Sequence, residues 1–162
     1  MFWDNDKKTG KDLMNKVASL LLPRNFPPAL EKKPIEIILV LTNTGATDQD
    51  AKTVSRISEI ALEHAATCLN LTSTLAVFSY GMVEPIEPAG SQRLDLLKHL
   101  TSEFGKTVAV VHGTALARVG LVGSEKHVMS FSFLAPNFRE ALALVSTVPL
   151  GSVVEFDFGH CN

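Results

Sequence analysis

Apolar positions change their spacing along the chain, and the changes predict strands interleaved with helices. Residues 35–41 form an almost unbroken aliphatic run, which is typical of a strand buried on both faces. Over residues 48–68 apolar side chains recur every three or four positions, which predicts an amphipathic helix. Residues 71–80 are strand-like, and helical spacing returns over residues 91–104 until Gly105 ends it.

The second half of the chain continues the same alternation. Its predicted elements are strands over 107–112, 115–122, 128–134 and 152–158 and a helix over 136–145. The polar, glycine-containing segment 123–127 predicts a hairpin between two of these strands. Strands and helices in this order predict an α+β sandwich, with one sheet covered by helices.

The first thirty-odd residues read as a separate segment. Residues 11–22 have the spacing of a short amphipathic helix, which Pro23 ends. We therefore divide the chain into an N-terminal helix and linker, residues 1–33, and a folded domain, residues 34–159. The helix either packs on its own domain or pairs with a partner chain, and the pattern fits both.

Net charge and cysteine content limit the binding partners and the cellular compartment that we expect. A net charge of -2 argues against a nucleic-acid surface, which usually carries a basic excess. The two cysteines, Cys68 and Cys161, form no disulfide framework, which fits a reducing compartment. Cys161 follows His160 in what reads as a loose tail. We expect a cytoplasmic protein without membrane insertion, because no apolar run approaches the length of a span.

Two local features could carry chemistry. Gly120 and Gly123 stand three apart before a polar tip ending at Lys126, but glycines in this spacing more often serve a turn than a phosphate. His64 falls on the apolar face of the 48–68 helix. Because no second histidine lies four residues away, a packed core residue is the simpler interpretation than a metal ligand.

Several short strings, in the same order, resemble segments of the class III adenylyl/guanylyl cyclase catalytic domain. They are Leu21-Leu22-Pro23 with Ala29-Leu30, Leu75-Ala76-Val77-Phe78, His112-Gly113, Gly120-Leu121-Val122-Gly123-Ser124-Glu125-Lys126 and Asn137-Phe138-Arg139-Glu140-Ala141. The resemblance implies a ferredoxin-like, βαββαβ-type cyclase fold. It also implies ATP or GTP as substrate, Mg²⁺ or Mn²⁺ as cofactor, and a site formed in a homodimer or in a heterodimer with a related domain.

The positions that hold metal in these cyclases are changed in this chain. By the resemblance, the first metal aspartate corresponds to Thr42, or to Asn43 if one residue is deleted, and the second corresponds to Thr72. Hard cations need anionic oxygen ligands, and two-metal chemistry depends on them. We therefore expect neither a metal site nor catalytic residues, and a Mg²⁺ or Mn²⁺ cofactor only if the domain is active.

The residues that bind nucleotide in these cyclases are half retained. Asn137 matches the family's asparagine, but the arginine position is Ala141, and Arg139 lies about 200° around a helix from Asn137. A remnant nucleotide-binding set would be Asn137, Gly120, Gly123 and Lys126. A lysine at a hairpin tip is more often solvated than bound to a ligand.

Three functions follow from the resemblance and its departures. The preferred one is a catalytically inactive cyclase-like domain that acts as a dimerisation and regulatory module. A divergent adenylyl or guanylyl cyclase with an altered metal site is the second. The third is a non-catalytic nucleotide sensor, in which Gly113, Gly120 and Gly123 leave room for phosphates held by backbone N–H groups.

Overall fold

The computed structural model describes residues 30–43, 47–86, 90–122 and 130–162, which contain one mixed sheet and three α-helices. The strands are β1 (Glu31–Leu41), β2 (Thr67–Leu71), β3 (Leu75–Tyr80), β4 (Ala109–Val122), β5 (Ser130–Leu134) and β6 (Val153–Glu155). The helices are α1 (Asp48–Glu63), α2 (Ser91–Phe104) and α3 (Phe138–Thr147). The predicted α+β fold is confirmed, whereas the predicted helix over 11–22 and the hairpin turn at 123–127 lie outside the described residues.

The order of the strands in the sheet is β2-β3-β1-β4-β5, and β6 pairs with β4. β1 and β3 are antiparallel, with Glu36 opposite Tyr80 at one end of the register and Leu41 opposite Leu75 at the other. β6 runs parallel to β4. The sheet is therefore mixed, and β1 lies inside it between β3 and β4.

Strand β1 is buried on both faces, as its aliphatic run predicted. Ile37 and Leu39 alternate along the strand with Ile38 and Val40, and all four side chains are fully buried. The strand begins at Glu31, four residues before the apolar run. The prediction missed this part because residues 31–34 are mostly exposed and carry no hydrophobic signal.

One face of the sheet packs against α1 and α2. The helices contribute Ile57, Ile60, Ala61, Leu96, Leu97 and Leu100, and the strands contribute Ile38, Val40, Ala76, Phe78, Tyr80 and Val110. Helix α1 begins with a capping box in which Asp50 N–H donates to Thr47 Oγ1 at 3.2 Å and Thr47 N–H donates to Asp50 Oδ2 at 3.3 Å. Gly105, at φ 41°, ends α2 as predicted.

The prediction of one helix over 48–68 and one strand over 71–80 was wrong at their junction. Helix α1 ends at Glu63, because Ala65 adopts a left-handed conformation at φ 58° and reverses the chain. Cys68 therefore lies in β2, which forms an antiparallel hairpin with β3. Most of β2 is exposed at the edge of the sheet, so it shows no apolar periodicity.

The predicted break between strands 107–112 and 115–122 is also absent. β4 is one strand of 14 residues that continues through Gly113. A Cβ atom at Gly113 would lie 1.7 Å from the carbonyl oxygen of Phe156. The glycine permits a close approach between two backbones here and does not mark a turn.

The C-terminal segment is an extension of the sheet, which corrects the prediction of a loose tail at His160 and Cys161. Phe158 N–H donates to Thr114 O at 3.1 Å, and Cys161 N–H donates to Leu116 O at 2.7 Å. His160 forms a parallel bridge with Leu116. The segment after β6 thus continues along β4.

The described residues fall into two compact units. Residues 32–118 and 133–162 form the larger unit, which contains the helices and the core described above. Residues 30–31, 119–122 and 130–132 are assigned to the other unit. Among the described helices, none combines the length and apolar composition required to cross a bilayer.

Candidate functional site

The first metal position of the resemblance, Thr42, lies where β1 ends. Its side chain is buried, and its hydroxyl lies 3.3 Å from the carbonyl oxygen of Ser73 and 3.2 Å from that of Thr74. Its backbone N–H donates to Thr74 O at 2.7 Å. Thr42 is therefore bound through both backbone and side chain to the turn that connects β2 with β3. Asn43, the alternative position, is exposed next to it.

The second metal position, Thr72, opens that same turn. Its hydroxyl accepts from Leu75 N–H at 2.9 Å and from Thr74 N–H at 3.3 Å, and it lies 3.2 Å from Leu75 O. Its backbone N–H donates to Leu75 O at 2.8 Å. The two positions thus meet at one end of β1 and β3, and both threonines organise the turn.

This arrangement does not fit a site for Mg²⁺ or Mn²⁺. Both side chains are neutral, and their hydroxyl groups are engaged with backbone carbonyl and N–H groups, whereas these ions require carboxylate oxygens. Asp50, further along the chain, uses its carboxylate in the capping box with Thr47. In the described part of the chain, no three His, Cys, Asp or Glu side chains are grouped to hold a metal ion.

Asn137, the asparagine position of the resemblance, occupies the N-cap position of α3 without a side-chain capping bond, and it contacts the C-terminal segment. Its side-chain Nδ2 donates to Asp157 O at 3.1 Å, and its backbone N–H donates to Phe158 O at 3.1 Å. A Cβ atom at Gly159 would lie 3.0 Å from the same Nδ2. The amide group of Asn137 thus contributes to the attachment of the segment that follows β6.

The arginine position of the resemblance is part of the core. Ala141 is fully buried on α3, whereas Arg139 is exposed on the same helix. The exposure of Arg139 agrees with the separation predicted from helical geometry. No positive charge therefore comes from the position where these cyclases carry their arginine.

The glycine positions are only partly described. Gly120 is buried in β4, and Gly123 and Lys126 lie outside the described residues. The space beside Gly113 is filled by Phe156 O and by the ring of Phe158, which would lie 3.3 Å from an added Cβ atom. Gly113 therefore makes room for a neighbouring strand, and the role given to it in the nucleotide sensor has no support from this geometry.

A buried charged cluster is the feature that the sequence analysis missed. Glu36 of β1 and Arg93 of α2 are almost fully buried, with Arg93 Nε 3.9 Å from Glu36 Oε2. Within the described residues, Arg93 Nε and Nη1 have no hydrogen-bond partner, and neither has Nδ1 of the buried His112. A sign was present in the sequence, since Glu36 interrupts the aliphatic run that begins at Ile35.

Burial shifts both titratable partners of this cluster away from their charged forms. Loss of solvation raises the pKa of Glu36 above 4.5, although the guanidinium of Arg93 acts in the opposite direction. Loss of solvation also lowers the pKa of His112 below 6.5; Arg93 adds to that shift, and Glu155 opposes it. Such perturbed groups mark functional sites as well as structural ion pairs.

A cavity of about 300 Å³ opens at the other end of β3, away from Thr42 and Thr72. Its lining includes Thr67, Tyr80, Glu84 and Gln92. Thr42, Asn43, Thr72, Gly120 and Asn137, the described residues of the predicted metal and nucleotide sites, do not line it. The cavity therefore adds nothing to the candidate site at the β2–β3 turn.

The fold and this site define the class of protein in general terms: an α+β domain with a mixed sheet, two helices packed on one face and a long strand β4. Comparison with solved structures defines it further. The chain has the fold of class III adenylyl and guanylyl cyclase catalytic domains. No protein-family model matches the chain, and no curated protein matches its sequence.

The matches are close in fold and distant in sequence. The adenylyl cyclase CyaB from P. aeruginosa has a TM-score of 0.58 and 15% identity, over 77% of this chain and 77% of that one. The guanylate cyclase domain of RhGC from Catenaria anguillulae, solved with GTP, has a TM-score of 0.58 and 10% identity over 75% and 77%. The dimeric guanylyl cyclase domain of RhoGC from Blastocladiella emersonii has a TM-score of 0.56 and 8% identity over 75% and 78%.

Proposed function

We propose that this chain is a catalytically inactive cyclase-like domain that acts as a dimerisation and regulatory module in the cytoplasm. The observation that carries the proposal is the engagement of Thr42. Its hydroxyl is bonded to the carbonyls of Ser73 and Thr74, where an active cyclase needs a carboxylate. A neutral hydroxyl in this position stabilises the turn and does not attract a divalent cation.

The residues on the nucleotide side support the same conclusion. Cyclisation of ATP or GTP requires stabilisation of the charge that develops on the phosphates. Ala141 offers no charge at the arginine position, and the amide of Asn137 is bonded to Asp157 O. Neither contribution of the cyclase transition-state pair is therefore available from this chain as it stands.

Dimerisation is proposed on the basis of the fold. Among the matched structures, one guanylyl cyclase domain of RhoGC is described as dimeric, and others of that protein are described as monomeric. A domain that keeps this framework without the metal carboxylates keeps a surface for association. The partner would be a second copy of this chain or a related cyclase domain.

Static light scattering on the full chain tests the association. At tens of micromolar we expect a mass twice that of one chain, or a complex of one to one when an active cyclase domain is added. A strict monomer under both conditions would contradict the dimerisation module. It would leave the conclusion about catalysis untouched, because that conclusion depends on Thr42 and Thr72.

Nucleotide binding without catalysis has less support, because Phe156 and Phe158 fill the space beside Gly113. Thermal-shift measurements with ATP, GTP and the two cyclic nucleotides test it. We expect no change in melting temperature with any of the four. A shift that disappears in Asn137→Ala would favour the sensor over the module.

A further inference from the structure

Two histidines that are far apart in the sequence meet on the helical side of the domain. His64 is the C-cap of α1, and His99 lies in α2. His64 Nε2 is 3.0 Å from His99 Nδ1, and the two rings are nearly perpendicular, with an interplanar angle of 71°. Both side chains are partly exposed, so solvent and small ions reach them. His64 is therefore half-buried and not part of the core as predicted, and its ring contacts a histidine of another helix.

A nearby carboxylate favours the tautomer of His99 that carries its proton on Nε2. Its other nitrogen, Nε2, lies 4.0 Å from Oε1 of Glu103, one helical turn later. Arg56 holds that carboxylate with two bonds, of 2.8 Å from Nε and 3.1 Å from Nη2. A proton on His99 Nε2 therefore faces a carboxylate, which leaves the lone pair on Nδ1 directed towards His64.

Two hydrogen bonds hold the backbone of His64 in place. The hydroxyl of Tyr80 donates to His64 O at 2.8 Å, and His64 N–H donates to Ile60 O at 3.1 Å. Burial raises the pKa of Tyr80 to about 12, with Glu36 and Asp95 adding to the shift, so its hydroxyl remains a donor at neutral pH. The backbone from which the imidazole of His64 projects is thus fixed at the end of α1.

We propose that His64 and His99 form a two-histidine chelate for a divalent transition-metal ion that prefers imidazole, nickel(II) or copper(II). His64 Nε2 and His99 Nδ1 would each donate a lone pair and displace one water from the ion. The proton of His64 moves from Nε2 to Nδ1, so no net proton is released. Water fills the remaining positions, since the described residues bring no third His, Cys, Asp or Glu into such a group.

The nitrogen–nitrogen distance, which is that of a hydrogen bond between the two rings, is also compatible with two neighbouring ligands of one metal ion. With nitrogen–metal bonds of about 2.05 Å, nitrogens 3.0 Å apart subtend an angle of about 94° at the metal. Neighbouring ligands in square-planar or octahedral sites have this angle, which suits copper(II) and nickel(II). A tetrahedral zinc ion needs the nitrogens about 3.3 Å apart and is the poorer fit. The hard ions Mg²⁺ and Ca²⁺ prefer oxygen ligands to imidazole.

Local charge favours a cation at this place. Arg56 contacts three carboxylates, with Nη1 3.2 Å from Glu59 Oε2 and 3.5 Å from Glu63 Oε1 in addition to its bonds to Glu103. Glu103 faces the ligand His99 from behind and would orient it, as carboxylates commonly do for metal-bound imidazoles. It does not itself contact the metal, so it is a positioning residue.

Calorimetric titration of the full chain with nickel(II) tests the site. His64→Gln and His99→Gln keep a polar side chain of similar reach, and each should weaken binding at least about tenfold. Glu103→Gln should weaken it by roughly tenfold through loss of orientation. His160→Gln, at an exposed histidine on the C-terminal segment, is the matched control and should leave the affinity unchanged. Equal affinities for the wild type and both histidine variants would overturn the proposal.

A spectroscopic measurement keeps the test independent of variant folding. Electron paramagnetic resonance of the wild-type copper(II) complex should show coupling to two imidazole nitrogens. The nickel(II) ion should also raise the melting temperature of the wild type by mass action, and this gain should vanish in His99→Gln. A spectrum with one nitrogen or none would assign the metal to another part of the chain and reject the chelate. Either result leaves the proposed module unaffected, because neither histidine belongs to the Thr42–Thr72 site.

Discussion

At the scale of single residues, the proposed lack of catalysis depends on threonine at position 42, where the resemblance to cyclases would place a carboxylate. Thr42 and an aspartate are similar in size, but the hydroxyl can donate a hydrogen bond and carries no charge. In the structure it lies within hydrogen-bond distance of Ser73 O and Thr74 O. A carboxylate in the same place would face those carbonyl oxygens without a proton to share, and would be repelled unless a cation lay between them.

Thr42→Val tests whether the hydroxyl stabilises the turn. Valine keeps the branched shape, and the backbone N–H of residue 42 still donates to Thr74 O. We expect a loss of about 1 kcal/mol in the free energy of unfolding, measured by urea denaturation. Thr114→Val, at an exposed position on β4, should change stability by less than about 0.5 kcal/mol. Equal losses of unfolding free energy in Thr42→Val and Thr114→Val would show that the Thr42 hydroxyl does not stabilise the fold.

His112 should make the domain sensitive to mild acid. Its pKa in the folded state lies below 6.5, so below pH 6.5 the unfolded chain binds more protons than the folded one. The contribution of neutral His112 to the free energy of unfolding is complete above pH 6.5 and is lost as the pH falls towards the folded-state pKa. Urea denaturation between pH 8 and pH 5 should show this decline, and His112→Gln should reduce it.

Glu36 acts with the opposite sign, which separates the two groups. Its folded-state pKa is raised above 4.5, so its contribution is complete below pH 4.5 and is lost as the pH rises through the folded value. The loss of stability as the pH falls below 6.5 therefore cannot come from Glu36, because its contribution increases in that direction. His160→Gln, at an exposed site, should keep the wild-type profile, and a decline that persists unchanged in His112→Gln would contradict the assignment.

At the scale of elements, the start of α1 depends on its capping box. Thr47→Ala removes the acceptor for Asp50 N–H, which the first turn does not replace. We expect a loss of about 1 kcal/mol in unfolding free energy. Thr53→Ala on the same helix removes only a hydroxyl that donates to Gln49 O within the helix, so it serves as the control and should have little effect.

The pairing of β4 with the C-terminal segment depends on Gly113. Gly113→Ala would drive a methyl group to 1.7 Å from Phe156 O, so the strands must separate. We expect a loss of about 2 kcal/mol or more, measured by thermal or urea denaturation. Gly105→Ala is the control: its Cβ meets no atom within 4 Å, and it reports the backbone strain at φ 41° alone. A loss at Gly113 of less than about 1 kcal/mol would contradict the close approach.

The elements were predictable where the signal was local. The spacing of apolar residues predicted helix α2 and the buried strand β1, and the structure confirms both. β2 was missed because an exposed edge strand lacks periodicity and because Ala65 gave no sign of its left-handed turn. Propensity does not predict a positive φ at alanine, which only tertiary contacts impose.

The candidate site shows the same limit over longer distances. The sequence identified Thr42 and Thr72 as changed positions, but the turn at residues 73–74 that engages Thr42 follows only from pairing β1 with β3. The meeting of His64 with His99, 35 positions apart, depends on how two helices pack. Contacts of this kind leave no trace in the spacing of either residue along its own helix.

At the scale of the whole molecule, the fold is retained although sequence identity to the matched cyclases is 15% or less in the three comparisons described. A core of matched volume and pattern is enough to specify the sheet and its helices. Catalysis is more demanding, because it needs particular charged groups in fixed places. The proposal that this chain combines the fold with neutral residues at positions 42 and 72 is the basis for expecting a domain used for association.

The most direct test of this account is cyclic nucleotide formation by the full chain. The purified protein is incubated with Mn²⁺ and either ATP or GTP, and cyclic AMP and cyclic GMP are quantified by mass spectrometry against a protein-free blank. The account predicts no product above the blank. Turnover that Asn137→Ala abolishes would contradict it, because the residues at positions 42 and 72 would then support the metal chemistry that their neutral side chains are expected to prevent.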